Sequence, residues 1–207
     1  MEQRSVMDRE RGRTMLYAVR YTHNFQNPAE ELAYQRKLAE ELLRWSLREE
    51  YSLELSSLSR KRNEHGKPYF IDAPIHFSLS HCSGLIGCGL SLFPLGIDGE
   101  GCRPVGKRLV RRVCTQEEQE WVALQEDWEG AFLSLWTLKE SVMKLSGQGM
   151  SYGFHRASFT FRSGEPVSQD PDIQISQFQL PGGWILSAAS RQEKFPQVKL
   201  IEEGWLF

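Results

Sequence analysis

The sequence predicts an α+β fold built as two similar halves that meet near Phe93-Pro94. Three observations carry that expectation. Strand-like, helix-like and strand-like segments follow one another twice along the chain. The length of 207 residues suits one large domain or two small ones. Hydrophobic residues make up 40% and charged residues 25%, an ordinary globular mix that excludes disordered and fibrous classes. No internal sequence repeat accompanies the repeated order.

Met15 to Tyr21 reads as the first strand, preceded by a polar tail over residues 1–14 that carries Arg4, Arg9, Arg11 and Arg13. Asn27-Pro28 is a helix entry, with Pro in the first turn. From there to Glu50, Leu32, Leu38, Leu42, Leu43, Trp45 and Leu47 repeat with helical spacing. Leu53 to Leu58 alternates as a strand, and Arg60 to Gly66 is polar and turn-like. Ile75 to Ser80 and Leu85 to Phe93 read as strands around the turn His81-Cys82-Ser83-Gly84. Leu95 to Asp98 is a further short strand. Arg103 to Val113 is basic, with no acid in it. Thr115 and Glu118 have the spacing of a capping box and open a helix to Asp127. A longer helix spans Gly130 to Ser146 and stops at Gly147. The remainder reads as strands at Ala157 to Phe161, Ile173 to Leu180, Trp184 to Ala189 and Val198 to Ile201.

Lys plus Arg total 25 and Asp plus Glu 27, a net charge of −2, which argues against a general polyanion binder and so against nucleic acid. No apolar run approaches the ~20 residues of a membrane span. The N-terminal stretch lacks the apolar core of a signal peptide, so a cytoplasmic protein away from membranes is expected. Cys82, Cys88, Cys102 and Cys114 form no Cys-x-x-Cys pair, and no His-x-x-x-His is present. Zinc-ribbon, thioredoxin-like and zincin readings therefore fail, and reduced thiols are expected.

The Gly130 to Ser146 helix does not look like a surface helix. At 100° per residue, Phe132, Leu135, Trp136, Leu138, Val142, Met143 and Leu145 cover a wide arc with Lys139 in its middle. Opposite lie only Ser134, Thr137 and Ser141. A helix packed on most sides makes Lys139, Glu140 and Lys144 costly unless each has a partner or ligand. Glu140 and Lys144, one turn apart, also read as an i,i+4 salt bridge of ~0.2–0.5 kcal/mol. The Lys139 amine also reads as snorkelling to solvent.

In Leu95-Gly-Ile-Asp98-Gly-Glu100, Asp98 and Glu100 fall on one strand face about 6.6 Å apart. Two hard carboxylates with room for water and phosphate suit Mg²⁺; Asp-Gly is equally a turn dipeptide. In Phe77-Ser-Leu-Ser80-His81-Cys-Ser-Gly84, a Ser-His pair enters a turn able to meet an anion. It reads otherwise as a hairpin. A serine hydrolase is excluded by the lack of G-x-S-x-G and by the opposite facing of adjacent strand residues. Gly66-Lys67-Pro places a lysine beside Tyr69 and Phe70, a pattern that flanks a base or simply turns the chain.

Taken in order, Gly66-Lys-Pro, Phe77-Ser-Leu-Ser-His, Gly96-Ile-Asp-x-Glu100 and Trp136-Thr-Leu-Lys-Glu-Ser-Val-Met-Lys144 resemble the motifs of 4′-phosphopantetheinyl transferases of the larger, surfactin-synthetase-activating type. The resemblance covers Gly66 to Gly149. It implies a monomeric pseudo-dimer of α/β halves, 1–94 and 95–207, with coenzyme A in the cleft. It implies Mg²⁺-dependent transfer of phosphopantetheine to a serine of an apo acyl or peptidyl carrier protein, releasing 3′,5′-ADP. By motif position, Asp98, Glu100 and Glu140 hold the metal. Glu140 also helps deprotonate the serine, and Lys144 meets the α-phosphate. Ser80 and His81 bind coenzyme A phosphates, and Lys67 lies at the nucleotide. Gly99 and Gln148 depart from the family pattern, Gly99 loosening its strand. Gln35, Arg36 and Lys37 stand near the family's 3′-phosphate ligands, with no register chosen among them. The competing readings are a Mg²⁺-dependent phosphohydrolase and a catalytically inactive binding module.

Overall fold

The computed structural model describes residues 14–207, so positions 1–13 of the expected tail lie outside the described residues. In chain order the elements are β1 (Met15–Arg20), α1 (Pro28–Tyr51), β2 (Arg60–Arg62), β3 (Pro68–Phe70), β4 (His76–Cys82), β5 (Leu85–Ser91) and β6 (Leu95–Gly101). There follow α2 (Lys107–Val113), α3 (Gln116–Ala123), α4 (Trp128–Ser146), β7 (Phe159–Arg162), β8 (Glu165–Ser168), β9 (Gln174–Leu180), β10 (Trp184–Ser190) and β11 (Val198–Ile201). Among the described residues the fold is mixed α/β, with four α-helices and two larger sheets, β11-β1-β5-β4 and β6-β10-β9.

Alternation within the strands decides the layering. On β1, Tyr17 and Val19 meet Leu38, Leu42 and Leu43 of α1, while Leu16 and Ala18 face the other way. There they meet Ile97, Leu186 and Ala188 of the second sheet. The second sheet carries α4 on its outer side, with Phe132, Leu135, Leu138 and Val142 packed on Ile185 and Ala189. The helix ends follow the sequence signals. Asn27 accepts from the Glu30 N–H, and Thr115 and Glu118 complete a capping box. Gly147 closes α4 at φ 74° in the left-handed region.

Three local expectations change. His81 and Cys82 belong to β4, paired with Ile86 and Leu85, so the turn is only Ser83-Gly84. Leu53 to Leu58 is a 3₁₀ turn centred on Leu55–Ser57 rather than a strand. Ser52 is left-handed at φ 53°, and the Ser57 N–H and hydroxyl both donate to Glu54 O. Local bonds of that kind compete with strand pairing. The Arg60 to Gly66 region is half of a hairpin: β2 pairs antiparallel with β3, Arg60 opposite Phe70. All three β2 residues are exposed, so no alternation marked the strand.

At one edge the two sheets join. Ile97 N–H donates to Ser78 Oγ (3.1 Å) and Gly99 N–H to Ser80 Oγ (3.0 Å). Two hydroxyls of β4 thus take the place of ladder carbonyls for β6. Gly99 keeps its place in the ladder opposite Leu186 of β10, and Leu85 and Leu186 close over it from the inter-sheet side.

Candidate active site

Strand β6 sets the site's geometry. Its residues 96, 98 and 100 share one face by alternation. A Cβ at Gly96 would fall inside the backbone of Ser141 and Leu145, so that face lies directly under α4. Gly96 lets the helix settle on the strand, and Asp98 and Glu100 follow on the same side. From α4, Glu140 and Lys144, one turn apart, share a face.

Lys144 Nζ donates to Asp98 Oδ1 at 2.8 Å and contacts Leu79 O at 3.4 Å. The expected Glu140–Lys144 bridge is not formed: the lysine reaches across to β6. Ser80 Oγ also donates to Asp98 Oδ1 (2.9 Å), so the Ser80 hydroxyl is engaged on both sides within the protein. Glu100 is held by Arg103 through Nε–Oε2 at 3.3 Å and Nη2–Oε1 at 3.4 Å. Glu140 has no hydrogen bond or ion pair among the described residues. Burial pushes its carboxyl above the usual range, Asp98 and Glu100 add to that, and Lys144 offsets part of it.

The donor chemistry is therefore three acids near one another, two in direct contact with the chain's own cations and the third, Glu140, only partly offset by Lys144. Hard oxygens in that number fit a hard divalent cation such as Mg²⁺. As the side chains stand, no His, Cys, Asp or Glu cluster among the described residues is grouped tightly enough to cage an ion. Lys144 on Asp98 and Arg103 on Glu100 supply the counter-charge instead.

His81 follows Ser80 on β4 and, by alternation, takes the opposite, exposed side. Exposed by area, it still loses part of its hydration to packed neighbours. That desolvation, then the charges of Lys144 and Arg36, lower its pKa, and Asp98 opposes them. Arg36 is thus the first-helix cation felt at His81. Of its neighbours, Gln35 is buried, donating to Tyr21 Oη (2.7 Å), and Lys37 lies over the Phe207 ring at 4.7 Å.

Lys67 occupies a place that the sequence left unresolved. Its ammonium donates to Leu95 O (2.8 Å) and to Lys144 O in the last turn of α4 (2.6 Å). Beside it, Asn63 Nδ2 donates to Gly147 O (2.8 Å). The β2–β3 turn is thereby stapled to the start of β6 and the end of α4. Burial, then Lys144, push Lys67 down to about 8. Its stem lines a cavity of about 240 Å³ with His65, Phe77, Leu79, Lys144 and Gly147. The structure thus gathers Asp98, Glu100, Glu140, Lys144 and Ser80 at one place, with His81 and Lys67 flanking it. Arg103 is the neighbour that sequence reasoning did not single out, and Arg36 is the one of the three first-helix candidates whose charge is felt at His81. Arg103 was visible only as part of a basic run.

Residues 94–189 match the 4′-phosphopantetheinyl transferase superfamily. The chain is 34% identical over 165 residues to the 4′-phosphopantetheinyl transferase psf-1 of Bacillus pumilus, covering 75% of this chain and 70% of that protein. It is 27% identical over 175 residues to the 4′-phosphopantetheinyl transferase Sfp of Bacillus subtilis (strain 168), covering 81% and 78%. To the 4′-phosphopantetheinyl transferase gsp of Aneurinibacillus migulanus it is 33% identical over 120 residues, 57% of this chain and half the length of that relative.

Proposed function

The chain belongs to the 4′-phosphopantetheinyl transferases of the Sfp type, and from that premise we propose that it moves phosphopantetheine from coenzyme A to a serine of an apo acyl or peptidyl carrier protein. The observation that carries the proposal is the meeting of Asp98 and Glu100 on β6 with Glu140 and Lys144 on α4, under the close approach that Gly96 permits.

Transfer at a phosphoryl centre needs charge neutralisation and alignment more than covalent help. In the proposed step the carrier serine oxygen bonds to the phosphorus that carries pantetheine. The bond from that phosphorus to the bridging oxygen breaks, and the electron pair leaves on the α-phosphate as 3′,5′-ADP. Glu140, raised by burial and by its acidic neighbours, takes the serine proton. Lys144 meets the α-phosphate and steadies the departing charge. Asp98, Glu100 and Glu140 are the residues that would hold Mg²⁺, which when bound neutralises the pyrophosphate. Ser80 holds Asp98 in place from β4. His81 with Arg36 faces the coenzyme's phosphates, and Lys67 shapes the cavity at its nucleotide end.

The same reading treats the chain as a monomeric pseudo-dimer, halves 1–94 and 95–207, with coenzyme A in the cleft between them. The last strand, β11, pairs in parallel with β1 of the first half. Coenzyme A as donor and four free cysteines fit a cytoplasmic enzyme. Among the described residues, no helix is long and apolar enough to cross a membrane.

The test is direct. The protein is incubated with coenzyme A, Mg²⁺ and an apo carrier, and the carrier mass is followed. A gain of one phosphopantetheine is expected. Release of adenine nucleotide with an unchanged carrier would point to a phosphohydrolase and overturn the proposal.

A further inference from the structure

Lys139 and Glu118 are each 0% exposed, and neither enters the chemistry above. Their ion pair is 2.8 Å long. The Lys139 ammonium has three N–H donors and three acceptors: Glu118 Oε1, Ala157 O (2.8 Å) and Phe154 O (3.0 Å). Glu118 in turn accepts from Phe159 N–H at 2.9 Å and from Thr115 N–H at 2.7 Å. One lysine of α4 is thereby tied to the first turn of α3, to the 154–157 loop and to the first residue of β7. Trp136, one turn back, lies against the Phe154 ring at 5.2 Å between centroids.

Such a network is a costly way to hold a helix down. Buried ion pairs are weak stabilisers, and apolar replacements of equal volume are often neutral or better. What the network supplies is direction. Apolar contact tolerates roll and sliding, whereas four short hydrogen bonds and an ion pair do not. Lys139 is the residue immediately before Glu140, about 100° round the helix. Fixing the lysine's azimuth fixes the glutamate's. The small-residue side of α4 is held likewise: Thr137 Oγ1 lies 2.7 Å from Ser187 Oγ, and Ser134 Oγ donates to Gln177 Oε1 at 2.6 Å.

We propose that the buried Lys139–Glu118 pair is a positioning device, a clamp that sets the roll of α4 so that Glu140 stands against Asp98 and Glu100; the inference rests on Glu140 being a site residue. A carboxyl about 6 Å from the helix axis moves about 1 Å when the helix rolls by about 10°. A displacement of that size at a phosphoryl-transfer site costs about 10²-fold in rate.

The experiment compares wild type with the double variant Glu118→Gln/Lys139→Met, which removes both charges at nearly constant volume. Lys139→Arg, which keeps the positive charge beside Glu118 but changes where its donors reach, serves as the second variant, should the double fail to fold. Stability is read by urea unfolding, transfer by kcat and by KM for coenzyme A, and the position of Glu140 by crystal structures. The clamp predicts a double variant that folds, with some stability lost because the Phe154 and Ala157 carbonyls lose their donor, and whose kcat per folded molecule falls about 10²-fold, with KM for coenzyme A little changed and the Glu140 carboxyl displaced from Asp98. Lys139→Arg is expected to show a smaller displacement and a smaller loss of kcat. A folded variant with Glu140 unmoved and kcat intact overturns the clamp. Glu140→Gln, measured alongside, judges the site reading separately: wild-type kcat there removes Glu140 from the chemistry, while the crystal comparison still decides whether Lys139 and Glu118 position it.

Discussion

Replacing Lys144 with Met separates the charge at the centre of the site from the packing around it. The methionine keeps the stem's volume and apolar contacts, so the change is close to pure loss of the ammonium. In the structure that ammonium lies 2.8 Å from Asp98 Oδ1, with the two side chains 30% and 11% exposed. Opposite charges about 4 Å apart attract by about 4 kcal/mol at an effective dielectric of about 20 and by about 1 kcal/mol in bulk water. Partial exposure puts the stability loss near the lower bound, about 1–2 kcal/mol. The catalytic loss is expected to be larger, about 10²-fold or more in turnover, the scale of a removed charge at a reacting centre. Two titrations report the same deletion. Lys144 holds Glu140 and His81 down, so both carboxyl and imidazole pKa values rise in Lys144→Met. Both rises are expected in the metal-free protein. The assay is transfer to an apo carrier across pH, with His81 followed by NMR in the metal-free protein. A folded Lys144→Met enzyme with near-normal turnover, or a His81 titration that does not move, would refute the reasoning.

Asp98→Ala is expected to fold yet lose transfer, and undiminished wild-type activity in excess chelator would remove the metal from the proposal. Gly96→Ala places a methyl in the backbone of Ser141 and Leu145 and should cost about 3 kcal/mol or more in urea unfolding, with α4 displaced; a neutral result would mean that the helix does not rest on that strand. Lys67, lowered to about 8 from an ordinary 10.5, makes the folded state the weaker proton binder. Stability therefore rises with pH between about 8 and 10.5, by up to about 3 kcal/mol. That rise should be missing from Lys67→Met, and identical pH–stability slopes in the two proteins would contradict the burial of this amine. If His81 and Arg36 grip the 3′-phosphate, wild type should prefer coenzyme A over dephospho-coenzyme A in kcat/KM, and His81→Ala should narrow the preference; an unchanged preference at pH 6.5 and 8 would place His81 elsewhere.

The long helices and paired strands were legible because local rules coincide with the tertiary outcome. Asn27 and Thr115 cap as their side chains dictate, and Gly147 ends α4 in the conformation glycine reaches most easily. The absence of a charged outer face on α4 correctly marked a packed helix, with Thr137, Lys139 and Ser141 all buried. The β2–β3 hairpin was not legible, because three exposed cationic or arginine-rich positions carry no period-two signal. The 3₁₀ turn at Leu55–Ser57 was hidden for the opposite reason, a strand-like alternation overruled by serine bonds to Glu54.

By itself the sequence determined which residue types the chemistry has to work with, and in what order: two carboxylates on one strand face, Glu140 and Lys144 one helical turn apart, a Ser-His pair and a Gly-Lys turn. These are short-range facts, set by the pitch of a helix and the pleat of a strand. Only the tertiary structure decided the partners. Lys144 pairs with Asp98 across 46 positions rather than with Glu140 beside it. Lys139, whose amine read as free to snorkel, is buried on Glu118. Lys67 staples two backbone carbonyls, and β11 returns to β1 from the far end of the chain. A charge removed from water takes whichever partner packing brings within reach, and which partner that is depends on contacts far apart in sequence that no local pattern encodes.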